Sequence, residues 1–239
     1  MFGTILNAAG IVIGGLLGLV LSRQFSPSTQ SLARSLIGIG TVVVGLRITV
    51  LSLNGTFSQV MKQVTIMILA MMLGRILGRL LRIQVVLNKL GRYASKRFSE
   101  AKPTDPNRLN DGFIVCALLF CAGPLGPVGA VQDGLVGYWQ PLAVKAVMDG
   151  LAAMGFVGVF GWGVILSAIP VLAYQGTITL AVQRLEPYLH QLKLTDSVCV
   201  VSGMLVFSAA LVIMELKKLS LADYLPSLAM APLITWLWK

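Results

Sequence analysis

The chain reads as an all-α protein, a polytopic transmembrane helix bundle of seven or eight spans, and three observations predict this. Of its 239 residues 56% are hydrophobic and only 12% are charged, with a mean hydropathy of +0.84. A soluble domain carries about 25% charged residues, so this chain has too few to cover a surface facing water. Apolar runs of about the length needed to cross a bilayer recur along the sequence. Basic residues gather between the runs: seven of the nineteen lie from Arg82 to Arg108.

Taken in order, the apolar runs predict helices at 4–22, 32–51 and 60–81, then 113–123 followed by a short piece at 128–136. Further helices are expected at 142–160, 164–183, 197–215 and 224–238. The count depends on the interrupted stretch. Gly123-Pro124-Leu125-Gly126-Pro127 breaks the hydrophobic run around 123–136, and 112–136 either crosses the membrane or dips in and returns. The organisation expected is a three-helix unit at 1–81, a basic amphipathic helix and linker at 82–110, and a transmembrane unit with a broken helix at 111–239.

The first run carries Gly3, Asn7, Gly10, Gly14 and Gly18 on one helical face, and Gly38, Thr41 and Gly45, then Gly74 and Gly78, mark faces on the second and third. Small residues let helices approach closely, the packing mode that replaces the hydrophobic effect inside lipid. Asn7 differs: it is a polar amide inside the first helix, either an interhelical hydrogen bond or a ligand group.

The Lys/Arg distribution sets the expected orientation. Arg82, Lys89, Arg92, Lys96, Arg97, Lys102 and Arg108 place loop 82–110 in the cytoplasm, with Arg23 and Arg34 on the same side. The Asn54-Gly55 turn and the N-terminus then lie outside. Arg184 with Lys193 ties with Lys217 and Lys218, so the count leaves the C-terminal side open. The chain starts without the basic region of a signal peptide, and its first apolar run is longer than a signal core, so a retained span is expected. The location implied is a bacterial inner (cytoplasmic) membrane.

Between the halves, Ile83, Val86, Leu87, Leu90 and Ala94 recur at helical spacing while Arg82, Lys89, Arg92 and Lys96 occupy other faces. This describes an amphipathic helix at 82–97, either lying on anionic lipid or packed on the protein's own surface. Pro103 and Pro106 close it.

The second half holds the residues that suggest chemistry. Asp133 and Asp149 stand in an almost continuously apolar stretch from Gly112 to Leu185. A carboxylate at that depth is costly unless a cavity, partner or ion receives it, which marks a functional site by default. The break formed by Gly123, Pro124, Gly126 and Pro127 precedes Gln132 and Asp133, and broken half-helices near the midplane are how many transporters bind substrate. A pore loop and a kinked structural helix give the same pattern. Lys145 lies four residues before Asp149, so an intrahelical ion pair is the plain alternative to a site. Pro170 is expected to kink the helix from residue 164 and open its ladder near Leu166, leaving Gln175 and Thr179 on one face beyond it. These two either complete a polar cavity with Gln132, Asp133 and Asp149 or act as helix-packing glue. The pathway residues predicted are Asn7, Gln132, Asp133, Lys145, Asp149, Gln175 and Thr179.

Other classes fall away. Net charge is +10, yet no nucleic-acid-binding signature accompanies it. Cys116, Cys121 and Cys199 lack CxxC spacing, and His190 is the only histidine, so neither a disulfide framework nor a metal centre is expected. No HExxH or GxSxG occurs, and an enzyme or cofactor is not expected.

Gly3-Thr4 with Asn7 and the glycines of the first helix, Gln132-Asp133-Gly134, Asp149-Gly150, Ser167-Ala168-Ile169-Pro170, Tyr174-Gln175-Gly176, Glu215-Leu216-Lys217-Lys218 and Leu225-Pro226-Ser227 follow in order. Together they resemble the bacterial domain-of-unknown-function family 554 over essentially the whole chain. The resemblance implies a polytopic inner-membrane protein, loosely labelled a transporter, without a settled substrate. The Cys121–Leu125 segment departs from it in being more proline-rich. The function expected is a small secondary transporter for an ion or small solute; the alternative is a channel or a membrane assembly or scaffold protein, with a homo-oligomer suggested by the small size and glycine faces.

Orientation is directly testable. A topology reporter fused near Lys96 is expected to report cytoplasm and one in the Asn54-Gly55 turn the opposite side; a periplasmic signal from Lys96 overturns the assignment.

Overall fold

The computed structural model describes residues 1–21, 26–101 and 106–238. Arg23, Lys102 and Pro103, used above for orientation and the linker, lie outside these residues. The described residues form helices α1 (Phe2–Leu21), α2 (Pro27–Ser52), α3 (Phe57–Leu80), α4 (Ile83–Glu100), α5 (Arg108–Ala122), α6 (Leu125–Val136), α7 (Gln140–Phe160), α8 (Gly163–Leu166), α9 (Ala168–Gln191), α10 (Thr195–Ile213) and α11 (Ser227–Leu237). A 3-10 turn, Leu221–Tyr224, precedes α11. Six helical stretches are long and apolar enough to cross a membrane, and α5 with α6 forms a bent pair that passes the same test together. The protein is an all-α polytopic bundle.

Local chemistry accounts for the helix ends. Ser26 caps α2, its hydroxyl accepting from the Thr29 N–H at 3.2 Å, and Pro27 occupies the first turn, where its missing N–H costs nothing. Gln59 Oε1 accepts from the Thr56 N–H at 2.8 Å and closes the start of α3. Gly137 ends α6 with φ 70°, which lets the Tyr138 N–H reach Gln132 O at 3.2 Å.

Small residues decide which helices pair. α1 lies on α7, α2 on α10, and α3 on α11 with its preceding turn, so each of the first three helices has its principal partner within 111–239. A Cβ on Gly14 would stand 2.1 Å from Gly150 O, one on Gly45 2.5 Å from the Phe207 backbone nitrogen, and one on Gly78 2.0 Å from Asp223 O. Backbone meets backbone at all three crossings, the geometry expected where van der Waals contact drives association.

The bent pair traverses the bundle. α5 starts where α7 ends, since a Cβ on Gly112 would come 2.4 Å from Phe160 Cβ. α6 finishes where α7 and α1 begin, with Trp139 Cα 3.2 Å from a Cβ on Gly3. The two helices, bent by 63°, thus cover the length of the 21-residue α7, about 30 Å at 1.5 Å per residue. The break falls at Gly123-Pro124, three residues before Pro127, which sits inside the first turn of α6.

Two other expectations change in detail. The stretch from Gly163 to Gln191 is one apolar span interrupted at Ser167, three residues before Pro170, whose missing donor leaves the ladder open at Leu166 as expected. α9 then continues to Gln191, with Pro187 inside it. The last apolar run is helical only from Ser227, and 11 residues give about 16 Å, short of a bilayer by themselves. With its 3-10 turn it nevertheless runs antiparallel to α3, from Asp223 beside Gly78 to Trp238, whose carbonyl accepts from Lys62 Nζ at 2.6 Å.

α4 turns Ile83, Leu87, Leu90, Ala94 and Phe98 inward, while Val86 is exposed. Ala94 is fully buried, and the Phe98 ring centroid lies 5.1 Å from that of Phe156 and 5.7 Å from that of Phe160. The Ala94–Phe98 end of the stripe is therefore covered by the protein, while Ile83, Leu87 and Leu90 are half-buried and Arg82, Lys89, Arg92 and Lys96 are exposed on the remaining sides. Asp223 fixes the start of α4 in trans: its Oδ1 accepts from the Gln84 N–H at 3.0 Å, and Gln84 Oε1 accepts from the Ala222 N–H at 3.1 Å. Glu215 pairs with Arg34, which brings Lys217 and Lys218 to the same end of the bundle as α4.

Backbone contact at the α1–α7 crossing predicts a clear mutational contrast. Gly14→Ala is expected to lose about 1–3 kcal/mol, because its methyl meets the rigid backbone of Gly150. Gly40→Ala, where nothing lies within 4 Å, is expected to be neutral or slightly stabilising. Thermal unfolding in detergent checks this, and equal losses at the two positions would contradict it.

Candidate functional site

α1, α6, α7 and α9 bring their polar residues into one buried band. At the end of the band nearest the N-terminus Asp133, on α6, lies 3.1 Å from the Met1 amine and accepts from the Thr4 N–H at 3.2 Å. Thr4 is the third residue of α1, so the carboxylate caps that helix in trans and its charge complements the positive end of the helix dipole. Thr179 Oγ1 donates to Ala130 O at 3.2 Å and lies 3.0 Å from Thr4 Oγ1, whose hydroxyl also lies 3.5 Å from Asp133 Oδ2. Asp133, with a side chain 2% exposed, is thereby satisfied by the chain itself.

One turn deeper lies a second cluster. Lys145 Nζ and Asp149 Oδ2 on α7 stand 2.5 Å apart, side chains 5% and 11% exposed, as the four-residue spacing allows. Asn7 on α1 donates through Nδ2 both to Asp149 Oδ2 and to Gln175 Oε1 on α9, each at 3.2 Å. The two clusters are linked along α1 by Thr4 and Asn7 and along α9 by Gln175 and Thr179, residues three and four apart on common faces.

The polarity of this second cluster is fixed from the carboxylate outward. Asp149 only accepts, so Asn7 must present its NH2; Asn7 donating forces Gln175 to present Oε1 to it. Gln175 Nε2 is then left pointing the other way, toward the α5–α6 break, 3.3 Å from where a Cβ on Gly126 would stand. Both residues are fully buried, and Gln175 Nε2 and Asn7 Oδ1 have no hydrogen-bond partner among the described residues. Buried amides left in this way normally cost 1–3 kcal/mol each and call for an explanation.

The structure thus unites Asn7, Lys145, Asp149 and Gln175 directly, and joins Asp133 and Thr179 to them through Thr4. Gln132 stands apart. It points to the other side of α6 against the Cys199 thiol of α10, with no nitrogen or oxygen partner for its amide. Gly123 and Gly126 border the cluster: a Cβ on Gly126 would lie 3.2 Å from Lys145 Cε, and one on Gly123 3.9 Å from Lys145 Nζ. Pro124 and Pro127 shape the break, and Pro170 follows the interruption at Ser167, in the first turn of α9. Thr4 was not singled out from the sequence as a site residue, although its three-residue spacing from Asn7 on a helix face was the available signal. No group of three or more His, Cys, Asp and Glu able to hold a metal exists among the described residues.

Fold and site together define an integral membrane protein with a charged, amide-lined centre at a helix break. The family described as protein of unknown function DUF554 matches residues 2–236, and the chain belongs to that family. It is 27% identical to the uncharacterized membrane protein YdfK of Bacillus subtilis, over 98% of this chain and 95% of that one. It is 26% identical to the uncharacterized protein YqgA of Escherichia coli, over 100% of this chain and 97% of that one. No solved structure matches it significantly.

The ion pair makes single and double substitutions behave oppositely. Asp149→Asn strands a buried lysine and is expected to cost about 3–5 kcal/mol, whereas Lys145→Met with Asp149→Leu should recover most of it. Thermal unfolding of the three proteins in detergent decides; a single variant as stable as the double would mean that Lys145 finds water when its partner is gone.

Proposed function

We propose that this chain is a small secondary transporter of a bacterial inner membrane, carrying an ion or small solute through the centre formed by Asn7, Lys145, Asp149 and Gln175. The observation that carries the reading is a buried charge pair held by amides with unpartnered atoms, beside a helix break in the membrane-spanning part of the bundle. Stability alone gives no reason to keep it, since a well-packed apolar pair of similar volume is often as stable or more so. A broken helix beside charged groups is the arrangement by which many carriers bind and release cargo.

In this reading the end of the bundle with α4, Arg34, Lys217 and Lys218 faces the cytoplasm and the N-terminus faces outside, in keeping with the positive-inside rule. The exposed Arg82, Lys89, Arg92 and Lys96 of α4 then meet anionic lipid, each contributing about 1 kcal/mol near the surface.

Reconstitution tests the reading. Purified protein in proteoliposomes, screened with labelled ions and small metabolites, is expected to give saturable, gradient-dependent uptake of at least one. The Lys145→Met, Asp149→Leu variant, folded by the criterion above, should lose that uptake by about a hundredfold or more, the scale of a few kcal/mol of lost binding. A folded double variant transporting at the wild-type rate would overturn the assignment of the centre.

A further inference from the structure

We infer that the α5–α6 break is a binding place for a small monovalent anion, held by Gln175 Nε2 and Lys145 Nζ. The inference deepens the transporter reading and rests on it for the anion's role as cargo or coupling ion; binding itself does not depend on it.

The argument is one of unmatched polarity. Gln175 Nε2 is a donor, fully buried, and turned toward Gly126 because Asp149 and Asn7 dictate which end of the amide faces α1. Lys145 brings three donors, of which Asp149 Oδ2 accepts one, and its stem and ammonium border Gly126 and Gly123. Donors from two helices therefore converge on the break. The ion pair has its negative end on Asn7 and its positive end at Gly123.

Size and access follow from the residues of the break. Glycine at 123 and 126 supplies no side chain, and a Cβ on Gly123 would meet only Lys145 Nζ, at 3.9 Å. Cys121, Ala122, Gly123 and Pro124 are half-buried, so the break is reachable while Gln175 behind it is not exposed. The Lys145–Asp149 pair is neutral overall, so a bound anion leaves the centre one negative charge in excess, which limits the ion to a monovalent one. A Cβ on Gly126 would already stand 3.2 Å from Lys145 Cε and 3.3 Å from Gln175 Nε2, so only a small ion such as a halide, nitrate or formate, and not a phosphate, is a candidate.

The test uses the full-length protein in detergent, in gluconate buffer, titrated with chloride, bromide, nitrate and formate and followed by thermal unfolding and calorimetry. At least one anion is expected to raise the melting temperature saturably, and exchange of sodium for potassium at constant anion should change nothing. Gln175→Leu, which removes one donor to an ion, should weaken binding about tenfold or more. Gly126→Ala leaves every donor in place and puts a methyl 3.3 Å from Gln175 Nε2, so it should abolish binding without unfolding the chain. The inference is overturned if none of the four anions shifts the wild type, or if wild type and Gly126→Ala titrate alike, the mark of an ionic-strength effect. The two readings separate in proteoliposomes: solute uptake without anion binding sinks this inference alone, and anion binding with no uptake of anything sinks the transporter alone.

Discussion

The approach of α1 to α7 is the constraint on which the rest depends. Glycines at 10, 14 and 18 put the α1 backbone against the turns of α7 that carry Ala146, Gly150 and Met154. Only at that separation can a side chain as short as asparagine reach 3.2 Å from Asp149 on the neighbouring helix. Had the crossing been built from leucines, with axes at the usual 8–10 Å, a water or a longer side chain would have had to bridge the gap. Close packing of small residues and the polar centre are two aspects of a single crossing.

Electrostatics then orders what packing has brought together. A lone carboxylate in an apolar bundle is costly, and the chain meets that cost in two ways. Asp133 is given the N-terminus of α1, where N–H groups and a helix dipole await a negative charge. Asp149 is given a lysine from its own helix and an amide from α1. The first arrangement leaves no unsatisfied atom on the carboxylate's neighbours in α1 and reads as a structural joint. The second leaves amide atoms on Asn7 and Gln175 without partners, and this asymmetry separates the two aspartates that looked equivalent in the sequence.

Much of the fold was legible because lipid imposes simple rules. Apolar runs located the spans, glycine spacing marked the close-packing faces, and two prolines with glycines marked the broken helix. Which helix each glycine face meets was not legible, since Gly14 and Gly45 carry the same local signal yet pair with α7 and α10. Spacing alone gave Lys145–Asp149 as a possible pair. It could not give the tertiary partners of Asp149, because Asn7 lies 142 residues away. Gln132, adjacent to Asp133, invited membership in the same site; a one-residue step turns a side chain about 100° around a helix, enough to carry it to α10. The amphipathic pattern of α4 was readable, but hydrophobicity does not distinguish lipid from protein as the covering surface; the contacts of Phe98 with Phe156 and Phe160 show protein covering its C-terminal end.

The centre is also shared between two helix pairs of different internal tightness. α1 and α7 touch backbone to backbone, and α6 meets α9 in the same manner, a Cβ on Gly134 standing 2.6 Å from Thr179 O. Between the pairs the contacts are hydrogen bonds and side-chain packing: Asn7 to Gln175, Thr4 to Thr179, the Asp133 carboxylate to the Thr4 N–H and the Met1 amine, and Leu142 beside Gly129. Hydrogen bonds of this kind, each worth about 1 kcal/mol net, can exchange for bonds to a ligand or to water at little cost, whereas a backbone crossing cannot slide without clashes. A carrier that alternates access by moving one packed body against another around a fixed site needs this division of stiffness. In the proposed carrier, Lys145, Asp149 and Asn7 would belong to one body and Gln175 with the α6 break to the other, with a bound ion at the seam between them.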